Sequence, residues 1–277
     1  MPGTLYLVGT PIGNLDDFSP RAVETLAQCD FIAAEDTRVT LKLLNHFDLK
    51  KPMTSYFEHN RREKGEQILA RLLAGESCAL VTDAGMPAIS DPGEDLVKLC
   101  HENGVPVAAV PGPTAFATAL ALSGMPAGRF TFEGFLSMNR PSRRKHLASL
   151  QNETRTMLFY EAPHKLQATL QDFCETFGGD REIALVRELT KIHEEVLHMT
   201  LQEACDYYQT VQPKGEFVLI VKGKTEPDAP DYTLPQAQKL AKQYLADGLS
   251  ASAAAKQAAQ ETGFKKADLY KALLTEE

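Results

Sequence analysis

Ala79-Leu80-Val81-Thr82-Asp83-Ala84-Gly85-Met86-Pro87-Ala88-Ile89-Ser90-Asp91-Pro92-Gly93 runs from an apolar segment into a loop rich in glycine, proline and aspartate. Its apolar start reads as a short buried strand. Glu94-Asp95-Leu96-Val97-Lys98-Leu99, immediately after it, reads as a helix. Asp91 is expected as the N-cap, Pro92 at the first helical position and Glu94 as the second member of a capping box. The loop from 82 to 93 holds two glycines, two prolines and two aspartates. Such a loop is costly to order, and in α/β proteins it lies at the carboxyl end of a strand, where ligands bind. Backbone donors at a helix start, next to the Asp83 carboxylate, suit a zwitterionic ligand with a carboxylate, an amine and a ribose.

Strand and helix patterns alternate outward from this loop. Strands are expected at 5–8, 31–34, 53–57, 79–82 and 105–110, and helices at 20–26, 37–47, 61–73 and from 92. Ser19 is expected to cap the first of these helices. Regular β-then-α alternation implies a mostly parallel sheet with helices on both faces. Pro111-Gly112-Pro113-Thr114 reads as a joint. Beyond it come strands near 130–133, 156–160, 183–187 and 217–221, with helices at about 141–151, 164–177 and 201–210. The fold class is therefore α/β, with two α/β domains at 1–112 and 113–224. A linker is expected at 225–234 and a small helical domain at 235–277. In the latter, helices are expected at 236–246, 252–261 and 265–274, with Gly263 in the turn of a helix-turn-helix pattern. Residues 235–275 carry six lysines against three acids. Two readings remain for that tail: a helical dimerisation or capping unit, or a nucleic-acid contact through Lys265 and Lys266.

Bulk composition narrows the classes. The chain has 277 residues, is 43% hydrophobic and 24% charged, and carries a net charge of −8. These are ordinary values for a globular protein. The net negative charge argues against nonspecific coating of nucleic acid but allows a local basic patch. Cysteines 29, 78, 100, 174 and 205 show no metal-ligand or redox spacing, which suits reduced thiols in a cytoplasm. Nothing in the pattern calls for a metal. No signal peptide is read at the start, and the apolar window 105–126 is broken by Pro106, Pro111 and Pro113, unlike a membrane span.

Several motifs sit where strands end. Gly9-Thr10-Pro11-Ile12-Gly13-Asn14-Leu15 is neither a P-loop nor a G-x-G-x-x-G turn. Glu35-Asp36-Thr37-Arg38 follows the second strand. It is either a plain helix start capped by Asp36, or a carboxylate and a guanidinium facing a cleft. Phe57-Glu58-His59-Asn60 follows the third strand. Arg140-Pro141-Ser142-Arg143-Arg144-Lys145 is strongly basic, with no acid from 135 to 150, and Arg61, Arg62 and Lys64 form a second basic group. Either cluster is a solvated helix face or part of a track for an anionic polymer. Tyr160-Glu161-Ala162-Pro163-His164 and Arg187-Glu188-Leu189-Thr190-Lys191 end strands of the second block.

Together these pieces resemble the tetrapyrrole-methylase-like methyltransferases. The match runs in order through Val8–Leu15, Ala34–Arg38, Thr82–Gly93, Pro111–Ala115, Tyr160–His164 and Arg187–Lys191. Within that family the chain is most similar to the branch that modifies small-subunit ribosomal RNA. The resemblance implies S-adenosylmethionine held in a cleft between two α/β domains, usually in a homodimer. It also implies 2′-O-methylation of a cytidine in the decoding region of 16S rRNA, on the free RNA or the small ribosomal subunit. Transferred by position, the cofactor contacts fall near Pro11, Asp83, Gly85, Met86 and Ile89, and near Thr114, Ala115, Tyr160 and Ala162. Asp36 matches an acidic residue that the tetrapyrrole enzymes carry after the second strand.

Methyl transfer from a sulfonium needs alignment of nucleophile, carbon and sulfur, and a ribose hydroxyl gains from a base. Asp36 or His59 is the expected proton acceptor, and Arg38 the expected phosphate-positioning group. Replacing Asp36 by Ala is expected to slow transfer ~10²-fold or more while cofactor affinity barely moves. Arg61, Arg62, Arg140, Arg143, Arg144, Lys145, Lys265 and Lys266 are the expected RNA contacts. Four phosphate contacts would give a log–log salt slope of about −3. The rivals are methylation of a porphyrinogen, which needs neither basic track nor tail, and a non-catalytic ligand sensor that binds nucleic acid through the tail.

Overall fold

A computed structural model of the chain describes residues 1–225 and 232–274. Met1–Gly223 forms one compact unit and Lys224–Glu277 a second. The first unit begins with β1 (Leu5–Val8), α1 (Pro20–Gln28), β2 (Phe31–Ala34), α2 (Thr37–His46), β3 (Met53–Ser55), α3 (Arg61–Leu73), β4 (Cys78–Val81), α4 (Glu94–Glu102) and β5 (Val107–Val110). The strands lie in the order β3-β2-β4-β1-β5, and every pairing is parallel. β2 and β4 read Phe-Ile-Ala-Ala and Cys-Ala-Leu-Val and are buried at every residue. Apolar runs without alternation are what a strand needs when helices cover both faces. Side chains then divide by parity. Leu5, Phe31, Ala33, Cys78 and Leu80 pack with Ile68, Leu72 and Leu96 of α3 and α4. Val8, Ile32, Ala34, Ala79 and Val81 pack on the opposite side with Ala22, Leu26 and Leu44 of α1 and α2.

The unit continues with α5 (Ala115–Ser123), β6 (Phe130–Phe135), α6 (Arg140–Ser149), β7 (Thr156–Glu161), α7 (Leu166–Phe177), β8 (Glu182–Arg187), β9 (Glu195–Thr200), α8 (Leu201–Thr210) and β10 (Phe217–Val221). This second sheet has the order β6-β7-β10-β8-β9, with only β6 and β7 parallel. α7 and α8 pack on one face through Leu170, Phe173, Leu201 and Tyr208. α5 covers the other through Ala119 and Leu120, and Ile12 from the loop after β1 joins that cluster. β9 was not expected. It is an edge strand whose residues, Glu-Val-Leu-His-Met-Thr, show neither a continuous apolar run nor clean alternation.

Two local expectations divide. Ser19 and Asp36 do cap α1 and α2, accepting from Ala22 N and Arg38 N. The start of α4 needs correction: its N-cap is Gly93, the first helical residue is Glu94, and there is no side-chain cap. Gly93 has φ +150°, and a Cβ there would lie 2.8 Å from the Ala88 Cβ and 2.9 Å from Leu80 Cδ2. The loop folds back on itself at this point, so Asp91 is released from capping.

The second unit holds α9 (Leu234–Ala246), α10 (Ala251–Thr262) and α11 (Lys266–Leu274) among the described residues. Its core is Ala237, Ala241, Ala255, Ala258 and Leu269; small side chains let the helices approach closely. Gly263 ends α10 in the left-handed region, as the turn pattern requires. Most of the expected linker, 226–231, and the last residues, 275–277, lie outside the described residues.

Candidate active site, a carboxylate-lined cavity between the sheets

The strand-end loops of the first sheet and the inner surface of the second enclose a cavity of about 450 Å³. Ile12 after β1, Glu35 after β2 and the loop from Asp83 to Asp91 after β4 form one side. Thr114 and Ala115, at the start of α5, form its end. Phe135, Tyr160, Ala162, Val186, Leu189 and Phe217 are among the second-sheet residues that form the other side.

Close backbone contacts hold the loops. Thr10 and Gly85 exchange amide hydrogen bonds at 2.9 and 3.1 Å, and the Thr10 hydroxyl donates to Thr82 O at 3.1 Å. Gly9 and Gly112 bring the β1 and β5 loops together. A Cβ on Gly9 would stand 2.7 Å from the Gly112 Cα, and one on Gly112 would stand 2.8 Å from the Gly9 Cα. Across the cavity, the Phe116 amide donates to the Tyr160 hydroxyl at 3.1 Å. Ala88, Glu188 and Thr190 hold positive φ of 64°, 51° and 63° without being glycine. Such strain, about 1–3 kcal/mol per residue, gathers where a site fixes its own geometry.

The electrostatics are one-sided. Glu35, Asp83, Asp91, Glu161 and Glu216 line the cavity and, among the described residues, no Lys, Arg or His does; Glu216 is paired outside the lining with Lys191 at 2.9 Å. Two strand ends orient each other's acids: the Asp36 amide donates to Asp83 Oδ1 at 3.1 Å, and the Asp83 amide to Glu35 Oε2 at 3.4 Å. Burial, and then the Asp91 charge, raises the Glu35 carboxyl above its usual range. Burial raises Asp83, and burial followed by the Asp83 charge raises Asp91. The cavity therefore favours a ligand with positive charge and disfavours phosphate. Its apolar second-sheet wall suits a flat or aliphatic part of the same ligand. A sulfonium nucleoside with an amine tail fits this donor set and this volume.

The expected cofactor residues converge here. Asp83, Gly85, Met86, Ile89, Thr114, Ala115, Tyr160 and Ala162 all line the cavity, whereas Pro11 does not and its neighbour Ile12 does. The expected catalytic residues are placed differently. Asp36 spends its carboxylate on the α2 N-terminus and on Arg38, at 2.6 Å. The hydrogen bonds from Arg38 push its carboxyl down to about 2, which leaves a weak base. Arg38 is exposed, and His59 is an exposed residue beside Phe57, outside the cavity lining. Of the basic residues, Arg143 needs correction. It is mostly buried, pairs with Asp172 at 2.5 Å and donates to the Thr169 hydroxyl, so it holds α6 on α7. Arg61 is shared between Glu58 and Asp95 at 3.3 and 3.5 Å. Arg62, Arg140, Arg144, Lys145 and Lys265 are exposed, as is Lys266, which donates to Ser252.

Glu35, Asp91 and Phe135 are cavity residues that the sequence reading passed over. For Glu35 a signal existed: once Asp36 is taken by the helix cap, its neighbour is the carboxylate left over at the strand end.

The chain matches known proteins across its length. The family model described as Tetrapyrrole (Corrin/Porphyrin) Methylases matches residues 4–205. A Synechocystis relative named Ribosomal RNA small subunit methyltransferase I is 48% identical over 97% of this chain and 96% of its own. A relative of the same name from Thermotoga maritima is 46% identical over 80% of this chain and 99% of its own. Uroporphyrin-III C-methyl transferase from Thermus thermophilus, solved with S-adenyl homocysteine, superposes with a TM-score of 0.55 at 19% identity. That match covers 79% of this chain and 97% of that one, and it supports the fold alone. The order of loops, the two sheets and the cavity between them thus have their place: the chain belongs to the tetrapyrrole methylase family, among relatives named ribosomal RNA small subunit methyltransferase I.

Proposed function

We propose that the chain transfers a methyl group from S-adenosylmethionine to the 2′-hydroxyl of a cytidine in the decoding region of 16S rRNA. The observation that carries this reading is the cavity with carboxylates and, among the described residues, no cation in its lining, in a chain whose relatives are named for small-subunit rRNA methylation. When bound, the cofactor supplies a methyl carbon activated by its sulfonium. The protein's share is alignment and proton removal. Asp83, Asp91 and the loop between them meet the cationic end. Thr114, Ala115, Tyr160 and Ala162 bound the nucleoside end. Pro11 sets the path of the loop that delivers Ile12.

Glu35 is the proton acceptor in this scheme, in place of Asp36. Held there, the cofactor would supply its methyl carbon to the ribose oxygen, and the Glu35 carboxylate would take the hydroxyl proton. Arg38, exposed beside the same strand end, is the group that meets RNA phosphate. His59, outside the cavity, takes no proton.

Support for an RNA substrate comes from two helix starts. α3 opens with Arg61 and Arg62, and α6 opens with Arg140, followed by Arg144 and Lys145. Cations in a first turn oppose the helix dipole by about 0.3–1 kcal/mol each, a cost that phosphate would reverse. Lys265 and Lys266 add charge at the turn between α10 and α11. No helix among the described residues is long and apolar enough to cross a membrane, in keeping with cytoplasmic work on ribosomes. The homodimer rests on the family resemblance, and light scattering of the purified chain tests it.

The decisive test supplies tritiated cofactor and small subunits lacking the modification, then maps the label. Label on one cytidine whose 3′ linkage resists alkali supports the reading; label on a base, or none, contradicts it.

A further inference from the structure

Three aromatic residues line the cavity, and they differ in exposure. Phe217 is buried, Tyr160 is half-buried, and Phe135 is 60% exposed. Leaving a phenylalanine in water forgoes about 1.5–3 kcal/mol of burial. This chain places it there by an irregularity in the sheet. β6 and β7 pair as Phe132 with Leu158, Gly134 with Phe159 and Phe135 with Tyr160, with a bulge between Phe132 and Gly134. Strict alternation would send Phe135 to the face opposite Phe132. The extra residue, with Gly134 at φ +62°, returns it to the same face.

The ring then has a firm backing. Phe132 and Phe135 meet Tyr160 at centroid distances of 5.0 and 5.4 Å. Phe132 stacks on Phe116 at 4.5 Å, and the Phe116 amide fixes the Tyr160 hydroxyl. Phe135 is thus the outermost ring of a braced aromatic wall, with much of its surface in solvent at the cavity.

We propose that Phe135 is the stacking platform for the nucleobase of the target nucleotide. The proposal rests on the methyl-transfer reading above and adds a positioning residue for its RNA substrate. A sugar hydroxyl in a stacked strand cannot reach an enclosed donor, so the target nucleotide must leave its stack. Its base then loses both π-contacts and gains from any flat ring near the point where the sugar enters. The acidic cavity repels the phosphates on either side, so base and sugar enter while the backbone stays outside. Base–aromatic stacking contributes about 1–3 kcal/mol per base. The adenine of the cofactor is the competing occupant, and affinity measurements separate the two.

The test compares wild type with Phe135→Ala and Phe135→Trp. Calorimetry measures cofactor affinity, co-sedimentation measures binding to small subunits lacking the modification, and steady-state transfer gives kcat and KM. Phe135→Ala should keep cofactor affinity within about twofold while kcat/KM falls roughly 5- to 150-fold, the span set by the stacking energy. Subunit binding should weaken in step, and Phe135→Trp should restore both. Loss of cofactor affinity by the same factor would put the ring under adenine and overturn the proposal. Unchanged kcat/KM and subunit binding in Phe135→Ala would overturn it as well. A wild-type chain that transfers no methyl to subunits would instead bring down the reading of function on which it stands.

Discussion

The two sheets contribute different things to one cavity. The first is wholly parallel, and its strand-end loops bring Glu35, Asp83 and Asp91 together with backbone amides. The second is mostly antiparallel and presents Tyr160, Val186, Leu189 and Phe217, with Phe135 at its exposed limit. Parallel strands all end on one side, so polar loops and helix starts gather there. An antiparallel sheet has no such end, and its usable surface is the face of its strands. The parallel half therefore brings three of the five cavity carboxylates, and the other half brings most of the flat apolar surface together with Glu161 and Glu216. A cationic nucleoside needs both.

If that division holds, removing the base should have the largest effect. Glu35→Gln should slow single-turnover transfer ~10²-fold or more while cofactor affinity barely moves. In wild type the rate should fall as pH drops through the raised Glu35 pKa, and the variant should lack that limb. The stability sign is the reverse of the usual carboxylate. A carboxyl whose pKa is higher folded than unfolded holds its proton better when folded, so stability falls as pH rises through that window. Glu35→Gln should therefore melt no lower than wild type at neutral pH, and a clear drop in its melting temperature would contradict the assignment.

A smaller effect separates charge from shape. Asp91→Asn should weaken S-adenosylmethionine about tenfold, the scale of one partly screened charge pair. S-adenosylhomocysteine, which lacks the sulfonium charge, should lose about twofold or less. Equal losses for both ligands would mean that Asp91 meets a group the two share, such as the amine, and not the sulfonium. Asp36→Ala should lower the melting temperature by removing the α2 cap, with transfer reduced far less than in Glu35→Gln. The smallest effect concerns RNA: neutralising Arg140, Arg144 and Lys145 together should flatten the log–log salt slope of subunit binding by about 2. Arg143→Gln should leave that slope alone and lower the melting temperature, because its guanidinium serves Asp172 and Thr169.

The fully buried strands were the most legible parts of the chain. Residues 31–34, 78–81 and 217–221 are short apolar runs between turns, and burial on both faces permits little else. The edge strand β9 was not legible, since a half-covered strand tolerates polar residues in either phase. Loop positions at the cavity were readable from Gly, Pro and Asp content. The assignment of acids was not. Glu35 and Asp36 are adjacent carboxylates, and only the geometry of α2 decides which one the helix takes. Asp91 next to Pro92 looked like a cap because proline favours a first helical turn, but packing of Gly93 against Ala88 and Leu80 moved the helix start. Phe135 lies beyond any pattern argument, because period-2 reading places it on the wrong face until the bulge is seen.

Titration calorimetry of S-adenosylmethionine and S-adenosylhomocysteine into the wild-type and Asp91→Asn chains reads the charge preference of the cavity itself. Wild type should show one site per chain and tighter binding of the sulfonium form than of S-adenosylhomocysteine, and Asp91→Asn should lose that preference. No heat for either ligand, or a preference that Asp91→Asn leaves intact, would contradict the cationic-ligand reading of the cavity.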